Sequence, residues 1–449
     1  MPHNSKSLFL NIDLKTQRGQ ALFALLVLLV IGAGAAFFTL VKPANSAIDR
    51  DKITAAALAQ AKEALIGWAV ARVPLGGTGA GPNDRPGELP CPDTGNNANP
   101  GDADGTCVAG RLGRVPWRTL GIPEPKDGAG ETLWYTLAGP FRKSTAPASN
   151  PINSDTKGNI TVYASTTAST VTSEAVAVIF APGAVMGSQQ RGTATAACTT
   201  TGATIPRWRC AANYLETADG INNATTNGPF ITGSSSSTYN DSLLVITTAD
   251  LIPLVEKRVA RDLLTLLAQY KTATAALGYN SGAGTYPWAN VNNGPSNAGT
   301  NRGRIPAIDT LSPPRLPKDT PPPPPPPYAL PVDWGVSNTP NLPLWFNDNG
   351  WRRLIYYAVA ANQIDSATVC STCTLSTLQV RQSCGSATGQ VSAQVVLITP
   401  GPAGAGRPAA YPWAWSLYLE DGCNNDNSDD IFVWPTSTAK VRDQFFTIP

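Results

Sequence analysis

Residues 21–41 read ALFALLVLLVIGAGAAFFTLV, a run without any charged side chain. A helix needs about 20 apolar residues to cross the hydrocarbon core of a bilayer, so this run predicts one membrane-spanning helix. Lys6, Lys15 and Arg18 precede it, and positively charged flanks stay on the cytoplasmic side. We therefore expect the N-terminus to lie inside and the long remainder of the chain outside.

A cleaved secretory signal is the competing interpretation of the same run. The apolar part of such a signal usually has only about 7–15 residues, which is shorter than this run. Small residues at 44–47 (ANSA) nevertheless offer a site for a signal peptidase. The length of the run favours a retained anchor.

The residues around the start of the run, 17–26, read QRGQALFALL. A short basic leader that ends in Gly and leads directly into an apolar helix resembles the N-terminus of type IV pilins and type II secretion pseudopilins. The resemblance implies cleavage after Gly19 by prepilin peptidase and methylation of the new N-terminus at Gln20. It also implies a single-pass protein of the inner membrane, with its bulk in the periplasm until it enters a filament, which for a pilus lies at the cell surface.

Two positions depart from the family pattern. Gln20 stands where the family usually has Phe, and Ala24 stands where most members have Glu. In the family, that Glu pairs with the N-terminal amine of the neighbouring subunit during assembly. The large minor pseudopilin at the filament tip also lacks it, so the resemblance implies a tip position here. An ordinary single-pass anchor is the alternative.

Composition narrows the chemistry that the chain can perform. The 449 residues include 14% charged residues and carry a net charge of +2, so nothing favours a nucleic-acid partner. The single histidine, His3, lies in the N-terminal tail. Catalytic triads and metal clusters that require histidine are therefore excluded in the rest of the chain. Paired carboxylates, as in a glycosidase, are the enzymatic alternative, but no spacing in the sequence brings two of them together. We predict that the protein is not an enzyme.

Two further segments have the composition and spacing of helices. Residues 48–73 are rich in good helix formers, with Leu58, Leu65 and Trp68 near helical spacing. Residues 249–277 form the second, with Asp250 as its expected N-cap. Charged residues in the second segment exclude another membrane span.

Short strings recur in the same order in two halves of the chain, which predicts a duplicated unit. The pairs are 113–116 (GRVP) with 303–306 (GRIP), 133–135 with 354–357, 176–183 with 394–401, 214–223 with 418–425, and 241–246 with 443–448. Runs bounded by Gly, Pro and Asn and rich in Val, Ile, Tyr and Trp predict strands at 160–163, 176–180, 243–247, 391–398, 415–419 and 431–434.

The expected fold is α+β, with a long N-terminal transmembrane helix followed by two tandem pilin-like units, each a helix on an antiparallel sheet. The predicted domains are a leader at 1–19, the transmembrane and extended helix at 20–75, and the two units at 76–248 and 249–449. A proline-rich insertion at 311–331 interrupts the second unit and contains Pro321–Pro327. Such a run adopts polyproline II, which predicts a surface spacer or, alternatively, a docking site for a proline-binding partner.

All eight cysteines follow the apolar run, as expected for disulfides in an oxidising compartment. Short spacings suggest the pairs Cys91–Cys107 and Cys198–Cys210. The pairing of the others stays open, and a CxxC redox motif or a four-thiolate zinc site are its alternatives. These others are Cys370, Cys373, Cys384 and Cys423.

Two loops rich in Asp and Asn are candidate calcium sites, because Ca²⁺ takes several carboxylate and carbonyl oxygens. One lies between Cys91 and Cys107, and the denser one spans 421–430, with Asp219, Asn222 and Asn223 as its counterpart in the first half. Pseudopilins often carry calcium, whereas a solvated, turn-rich loop is the alternative. The expected ligands are Asp93, Asp102, Asp104, Asp421, Asp426 and Asp429.

These observations together predict a structural minor pilin or pseudopilin-like component of a type IV pilus or type II secretion filament, at the tip. Its expected partners are other pilins or pseudopilins through the N-terminal helix, prepilin peptidase and the inner membrane. A membrane-anchored periplasmic binding module that never enters a filament is the alternative function.

Overall fold

The computed structural model describes residues 47–72, 84–97, 99–143, 150–164, 169–276, 279–287, 289, 301–305, 344–363, 377–381, 390–402, 419, 431–433 and 444–449. The chain forms two compact units, Met1–Ile53 and Thr54–Pro449. Of the first, only Ala47–Ile53 is described, and all contacts given below lie within the second. The predicted leader, the apolar run 21–41 and the insertion 311–331 lie outside the described residues.

Two long helices lie where the sequence predicts them. The helices are α1 (Ala47–Ala71), α2 (Trp117–Leu120), α3 (Thr248–Ala276), α4 (Leu344–Asp348) and α5 (Trp351–Leu354), with short 3-10 turns at Gly139–Phe141, Arg207–Arg209, Ala211–Asn213, Tyr279–Gly282 and Ala361–Gln363. The expectation that Asp250 is the N-cap of α3 is wrong. Thr247 takes that position, and Asp250 is the N3 residue of a capping box. Its Oδ2 accepts a hydrogen bond from the Thr247 backbone N–H at 2.8 Å, and its own N–H donates to Thr247 Oγ1 at 3.3 Å.

The strands are short. They are β1 (Leu112–Arg114), β2 (Trp134–Leu137), β3 (Ile160–Tyr163), β4 (Thr170–Ala175), β5 (Ala177–Ala181), β6 (Thr195–Ala197), β7 (Thr204–Pro206), β8 (Thr217–Ala218), β9 (Ile221–Asn222), β10 (Phe230–Ile231), β11 (Ser242–Ile246), β12 (Arg302–Arg304), β13 (Tyr356–Val359), β14 (Leu378–Arg381), β15 (Val391–Ala393), β16 (Val395–Thr399), β17 (Ile431–Val433) and β18 (Gln444–Ile448).

Two four-stranded sheets have the same arrangement. Their strand orders are β1-β2-β5-β11 and β12-β13-β16-β18, and all their pairs are antiparallel. Gly113 pairs with Tyr135 in the first sheet, and Gly303 pairs with Tyr357 in the second. The repeated GRVP and GRIP strings therefore supply the same edge strand at the same register.

Each half also contributes a three-stranded sheet, with the orders β10-β3-β4 and β15-β14-β17. In both, one pair is parallel, β10 with β3 and β14 with β17. Two two-stranded ribbons, β6-β7 and β8-β9, complete the described sheets of the first half. Parallel strands need a long connection, which the intervening residues supply.

The central strands of the four-stranded sheets are buried on both faces. All five residues of β5 are buried, and so are all five of β16. Along β16, Val395 and Leu397 belong to the main core, whereas Val396 and Ile398 belong to a second, smaller cluster. Because successive side chains of a strand point to opposite faces, the sheet is covered on both sides.

Helix α1 joins the main core through a stripe of residues four apart. Ala57, Ala61, Leu65 and Ala69 are fully buried in the same cluster as the strands of the first sheet. Residues spaced by four lie on one face of a helix, and small side chains let its backbone approach closely. The C-terminal half of α1 is therefore an integral part of the core.

The expected fold, a long transmembrane helix followed by two helix-on-antiparallel-sheet units, is wrong. The structure is a mixed α/β arrangement of small sheets, some with parallel pairs, and the central sheets are covered on both faces. Within the part of the chain that is described, no helix combines the length and apolarity that crossing a membrane requires. That finding also contradicts the predicted location, a single-pass inner-membrane protein with a cytoplasmic N-terminus and a periplasmic bulk.

Candidate functional site

A cluster of five charged residues, three of them buried, lies where α1 ends. Arg72 follows the last helical turn and its Nη2 lies 2.7 Å from Asp84 Oδ1. Glu88 is fully buried, and its two oxygens lie 3.7 Å from Arg72 Nε and from Arg85 Nε. Lys143 Nζ lies 3.7 Å from Asp84 Oδ1. We call these five residues the junction cluster, because they tie the end of α1 to the segments that follow it.

Backbone contacts reinforce this junction. The Gly87 N–H donates to the Ala69 carbonyl of α1 at 2.9 Å, and the Arg72 guanidinium stacks on the Trp68 ring at 4.7 Å. Gly87 adopts φ +89°, and a Cβ there would meet the Ile152 side chain at 2.7 Å. Only glycine allows both this turn and this close approach.

Arg85 links the junction cluster to more distant segments. It is fully buried, and its guanidinium donates to the carbonyls of Arg142 at 3.2 Å and Pro140 at 3.5 Å, and to that of Asn150. It also reaches Asn349 Oδ1 at 3.4 Å, a residue of the second half. A planar guanidinium with five donors can satisfy several acceptors at once, which suits it to this position.

Burial sets the protonation of the cluster. It raises the pKa of Glu88 from 4.5 to about 7, against the opposing charges of Arg85 and Arg72. It also lowers the pKa of Arg85 to about 10, so the guanidinium stays charged at neutral pH. Neither Glu88 oxygen accepts a hydrogen bond from the residues that are described. The Glu88 carboxyl is therefore a group whose charge changes near neutral pH.

Asn349 holds the two halves together next to this cluster. It is fully buried, its Oδ1 accepts from the Ile152 N–H at 2.7 Å, and its carbonyl accepts from Asn153 Nδ2 at 2.6 Å. Its Nδ2 donates to the Trp345 carbonyl at 2.8 Å. A side chain with all its polar atoms satisfied in this way fixes a loop of one half on a turn of the other.

A second acidic site, the carboxyl network, consists of Gln189, Glu216, Asn223, Tyr239 and Asp241. Asp241 Oδ2 accepts from the Glu216 N–H and from Asn223 Nδ2, both at 2.9 Å. Asn223 Nδ2 also lies 3.0 Å from the Ile231 carbonyl, and Tyr239 Oη donates to that carbonyl at 2.7 Å. The network connects the turn before β8 with β10 and β11.

The environment of Asp241 favours its protonated form. Burial, followed by the negative charge of Glu216, raises the pKa of Asp241 well above its ordinary value. Asp241 Oδ1 makes no hydrogen bond with a described residue. The Glu216 oxygens accept from Gln189 Nε2 at 2.7 Å and from the Asn240 N–H at 3.0 Å.

An open cavity of about 350 Å³ lies beside Glu216. Apolar residues line it together with residues that carry hydroxyl and amide groups. The lining residues are Met186, Gly187, Ser188, Gln189, Ala212, Leu215, Glu216, Thr217, Asn222, Ser237 and Thr238. This volume is at the lower end of the range of small-molecule pockets.

The predicted calcium ligands of the first loop make hydrogen bonds within that loop. Asp93 accepts from the backbone N–H groups of Gly95 and Gly101, both at 2.7 Å. Asp104 Oδ2 accepts from Thr94 Oγ1 at 2.6 Å, and Asp102 Oδ1 lies 3.7 Å from Arg118 Nε. In the described parts of the chain, no group of His, Cys, Asp and Glu is placed to hold a metal ion. Calcium binding stays a prediction.

Both short-range disulfides are confirmed, Cys91–Cys107 and Cys198–Cys210. The other predicted sites lie outside the described residues. They are Gly19, Gln20, Cys370, Cys373, Cys384, Asp421, Cys423, Asp426 and Asp429. The first-half counterpart of the second acidic loop consists of Asp219, Asn222 and Asn223. Asn222 lines the cavity, and Asn223 belongs to the carboxyl network.

The junction cluster is not among the sites predicted from the sequence. A signal was present, because residues 84–88 read DRPGE in a chain with only 14% charged residues. Such a dense charged string beside a Pro-Gly turn favours ion pairing at a helix end. Nothing local marks Asn349, because its partners are about two hundred residues away in sequence.

Comparison with known protein families, with curated proteins and with solved structures finds no match for this chain. Function therefore has to be argued from the residues and the geometry.

Proposed function

We propose that this protein is a structural, non-enzymatic subunit of a pilin- or pseudopilin-like filament. The proposal rests on the resemblance of residues 17–26 to a prepilin leader junction, together with the position of α1 directly after the apolar run. A membrane location is not part of it. Its partners are other pilin-like subunits, which contact the N-terminal apolar segment, and prepilin peptidase.

The way α1 is built into the core is the observation that carries the proposal. A filament subunit held by its N-terminal segment transmits any pull to its head through the residues that follow. Four buried positions of α1, the Arg72–Asp84 ion pair and the Gly87–Ala69 hydrogen bond resist such a pull. A flexible linker in this place would leave the head loosely attached.

Size and sequence favour the tip of the filament. About four hundred residues follow α1, far more than the single compact head of an ordinary shaft subunit. At the tip, only one side of the subunit has to be shared with neighbours. Ala24 replaces the Glu that a shaft subunit of this family uses for its neighbour, and a tip subunit has no use for that Glu.

Processing of the leader provides the test. We expect that cells with a prepilin peptidase produce a mature chain that begins at methylated Gln20, as measured by the mass of the N-terminal peptide. The Gly19→Leu variant should keep the intact leader, because the enzyme would no longer accept the residue before the cleaved bond. Co-purification with the filament should be lost in parallel.

Gly67→Leu is the matched control. Gly67 lies on the exposed side of α1, and no atom lies within 4 Å of a Cβ built there. The control changes a glycine in the same way but leaves the leader unaltered, so it should be processed like the natural chain. Equal processing of the Gly19→Leu chain would refute the proposal.

A binding module that never enters a filament is the second candidate, and the cavity beside Glu216 is the observation that favours it. This module would keep its leader, so its N-terminal peptide would begin at Met1 or at the residue left after Met1 is removed. The same mass measurement therefore distinguishes the two functions.

A further inference from the structure

The residues that line the cavity beside Glu216 suit the binding of a small polar molecule. Hydroxyl groups of Ser188, Thr217 and Thr238 line it together with the amide of Asn222. Leu215, which is 3% exposed, lines it together with the apolar residues Met186 and Ala212. Short hydroxyl and amide side chains offer both donors and acceptors, which is the pattern that a ligand with several hydroxyl groups requires.

Charge excludes some ligand classes. Glu216 is the one ionisable residue among the described lining residues. An anionic ligand would bring a second negative charge next to the Glu216 carboxylate, which is only 8% exposed, and two like charges in contact repel each other. Phosphorylated and carboxylated ligands are therefore poor candidates.

The hydrogen bonds that Glu216 already makes argue against a cationic ligand. Its oxygens accept from Gln189 Nε2 at 2.7 Å and from the Asn240 N–H at 3.0 Å. A carboxylate has about four acceptor positions, so about two are left for a ligand. Two donors already stabilise the negative charge, and a primary ammonium group has three N–H donors to satisfy, so a hydroxyl donor suits the remaining positions better.

We propose that this cavity binds a neutral sugar ring, with Glu216 accepting a hydrogen bond from one sugar hydroxyl and Leu215 contacting the apolar side of the ring. The rim residues Ser188 and Thr238 are exposed, so the ring can belong to the end of a glycan. The site lies in the first half and includes no residue of the N-terminal segment. The inference therefore does not depend on the filament proposal.

Titration of the full chain with sugars tests the inference. The probes are the neutral sugars glucose, galactose, mannose and N-acetylglucosamine, with cationic glucosamine and anionic glucuronate as comparisons, and binding is followed by calorimetry and ligand-observed NMR. At least one neutral probe should bind, and more tightly than glucosamine or glucuronate. Ser188→Phe places a ring in the cavity from an exposed rim position, and we expect it to weaken that binding at least about tenfold.

Ser173→Phe is the control, because Ser173 is an exposed serine on β4 and does not line the cavity. It should bind the sugar like the natural chain. The inference is overturned if no neutral probe binds, if glucosamine or glucuronate binds more tightly than every neutral probe, or if Ser188→Phe binds as well as Ser173→Phe. Processing at Gly19 is unaffected by any of these variants, so the two proposals fail separately.

Discussion

The junction cluster and the carboxyl network bury acidic groups in two different ways. In the junction cluster, Glu88 is 0% exposed and has cations at 3.7 Å but accepts no hydrogen bond from the described residues. In the carboxyl network, Glu216 and Asp241 accept hydrogen bonds of 2.7–3.0 Å from neutral donors. Ion pairs surround the carboxyl group of the first site, whereas hydrogen bonds from neutral donors hold those of the second.

This contrast indicates how much stability a substitution in each site should remove. Removing a hydrogen-bond acceptor from a buried network leaves its donors without partners, and that penalty is large. Removing the Glu88 charge should have a smaller net effect, because its desolvation cost disappears with it and its two cations keep other partners. Arg72 remains paired with Asp84, and Arg85 remains bonded to backbone carbonyls. The largest loss of stability should therefore come from the carboxyl network.

Asp241→Ala tests the carboxyl network and should have the largest effect. The change leaves the Glu216 N–H and one of the two Asn223 Nδ2 hydrogens without an acceptor, at about 1–3 kcal/mol for each buried donor, so we expect a loss of about 4 kcal/mol. Urea unfolding of the full chain measures it. Glu174→Ala is the control, because Glu174 is exposed and pairs with Lys157 at 2.8 Å. That change should cost less than about 1 kcal/mol, and an equally small effect of Asp241→Ala would contradict the role of the network.

Glu88→Gln tests the junction cluster through pH. The pKa of Glu88 is about 7 in the folded protein and 4.5 ordinarily, so between these values the folded state holds a proton that the unfolded state releases. The free energy of unfolding of the natural chain should therefore fall as pH rises from about 4.5 to about 7. Relative to Glu88→Gln, which cannot ionise, the fall should be about 3 kcal/mol.

Differences between variants isolate this term from other groups that titrate in the same range. Glu63→Gln, on the exposed side of α1, removes the same charge without touching the cluster and should follow the natural chain. If the pH curves of the natural chain and Glu88→Gln run parallel from pH 4.5 to pH 7, Glu88 is not the buried, charge-changing group described here.

Local patterns in the sequence predicted the elements that depend on local physics. The apolar spacing in 48–73 and 249–277 predicted α1 and α3 to within a residue or two, and the cysteine spacings predicted both observed disulfides. Of the predicted strands, 160–163 coincides with β3, and 243–247 is shifted by one residue from β11. Prediction was reliable where the determining residues are neighbours in the chain.

Prediction was wrong where contacts between distant segments determine the structure. A strand that is buried on both faces reads as a continuous apolar run, so AVIFA in β5 could not reveal the layer on its second face. The parallel pair of β14 and β17 joins residues about fifty positions apart, and hydrophobic patterns carry no information on strand direction. Arg85 and Asn349 are 264 residues apart, so their contact had no local signal.

For the candidate sites, too, the sequence indicated single residues but not the contacts between distant segments. The repeated strings 214–223 and 241–246 marked Glu216, Asn223 and Asp241 as part of a shared pattern, although the sequence could not show that they converge on one network. Asp93, Asp102 and Asp104 are candidate calcium ligands, because carboxylates bind hard cations. In the fold, Asp93 and Asp104 accept hydrogen bonds from their own loop, and calcium binding there stays a prediction.

The smallest effects should come from the charges around Glu88, and their signs sharpen the contrast between the two sites. The positive charge of Lys143 lowers the pKa of Glu88, whereas the negative charge of Asp84 raises it. Lys143→Met should therefore move the pH midpoint of the Glu88 effect upward, and Asp84→Asn should move it downward. The Lys143 shift should be less than about one pH unit, because its side chain is 42% exposed and solvent screens it. Carboxyl ¹³C NMR of Glu88, assigned by Glu88→Gln, measures both midpoints, and shifts of the same sign would show that packing and not charge controls this group.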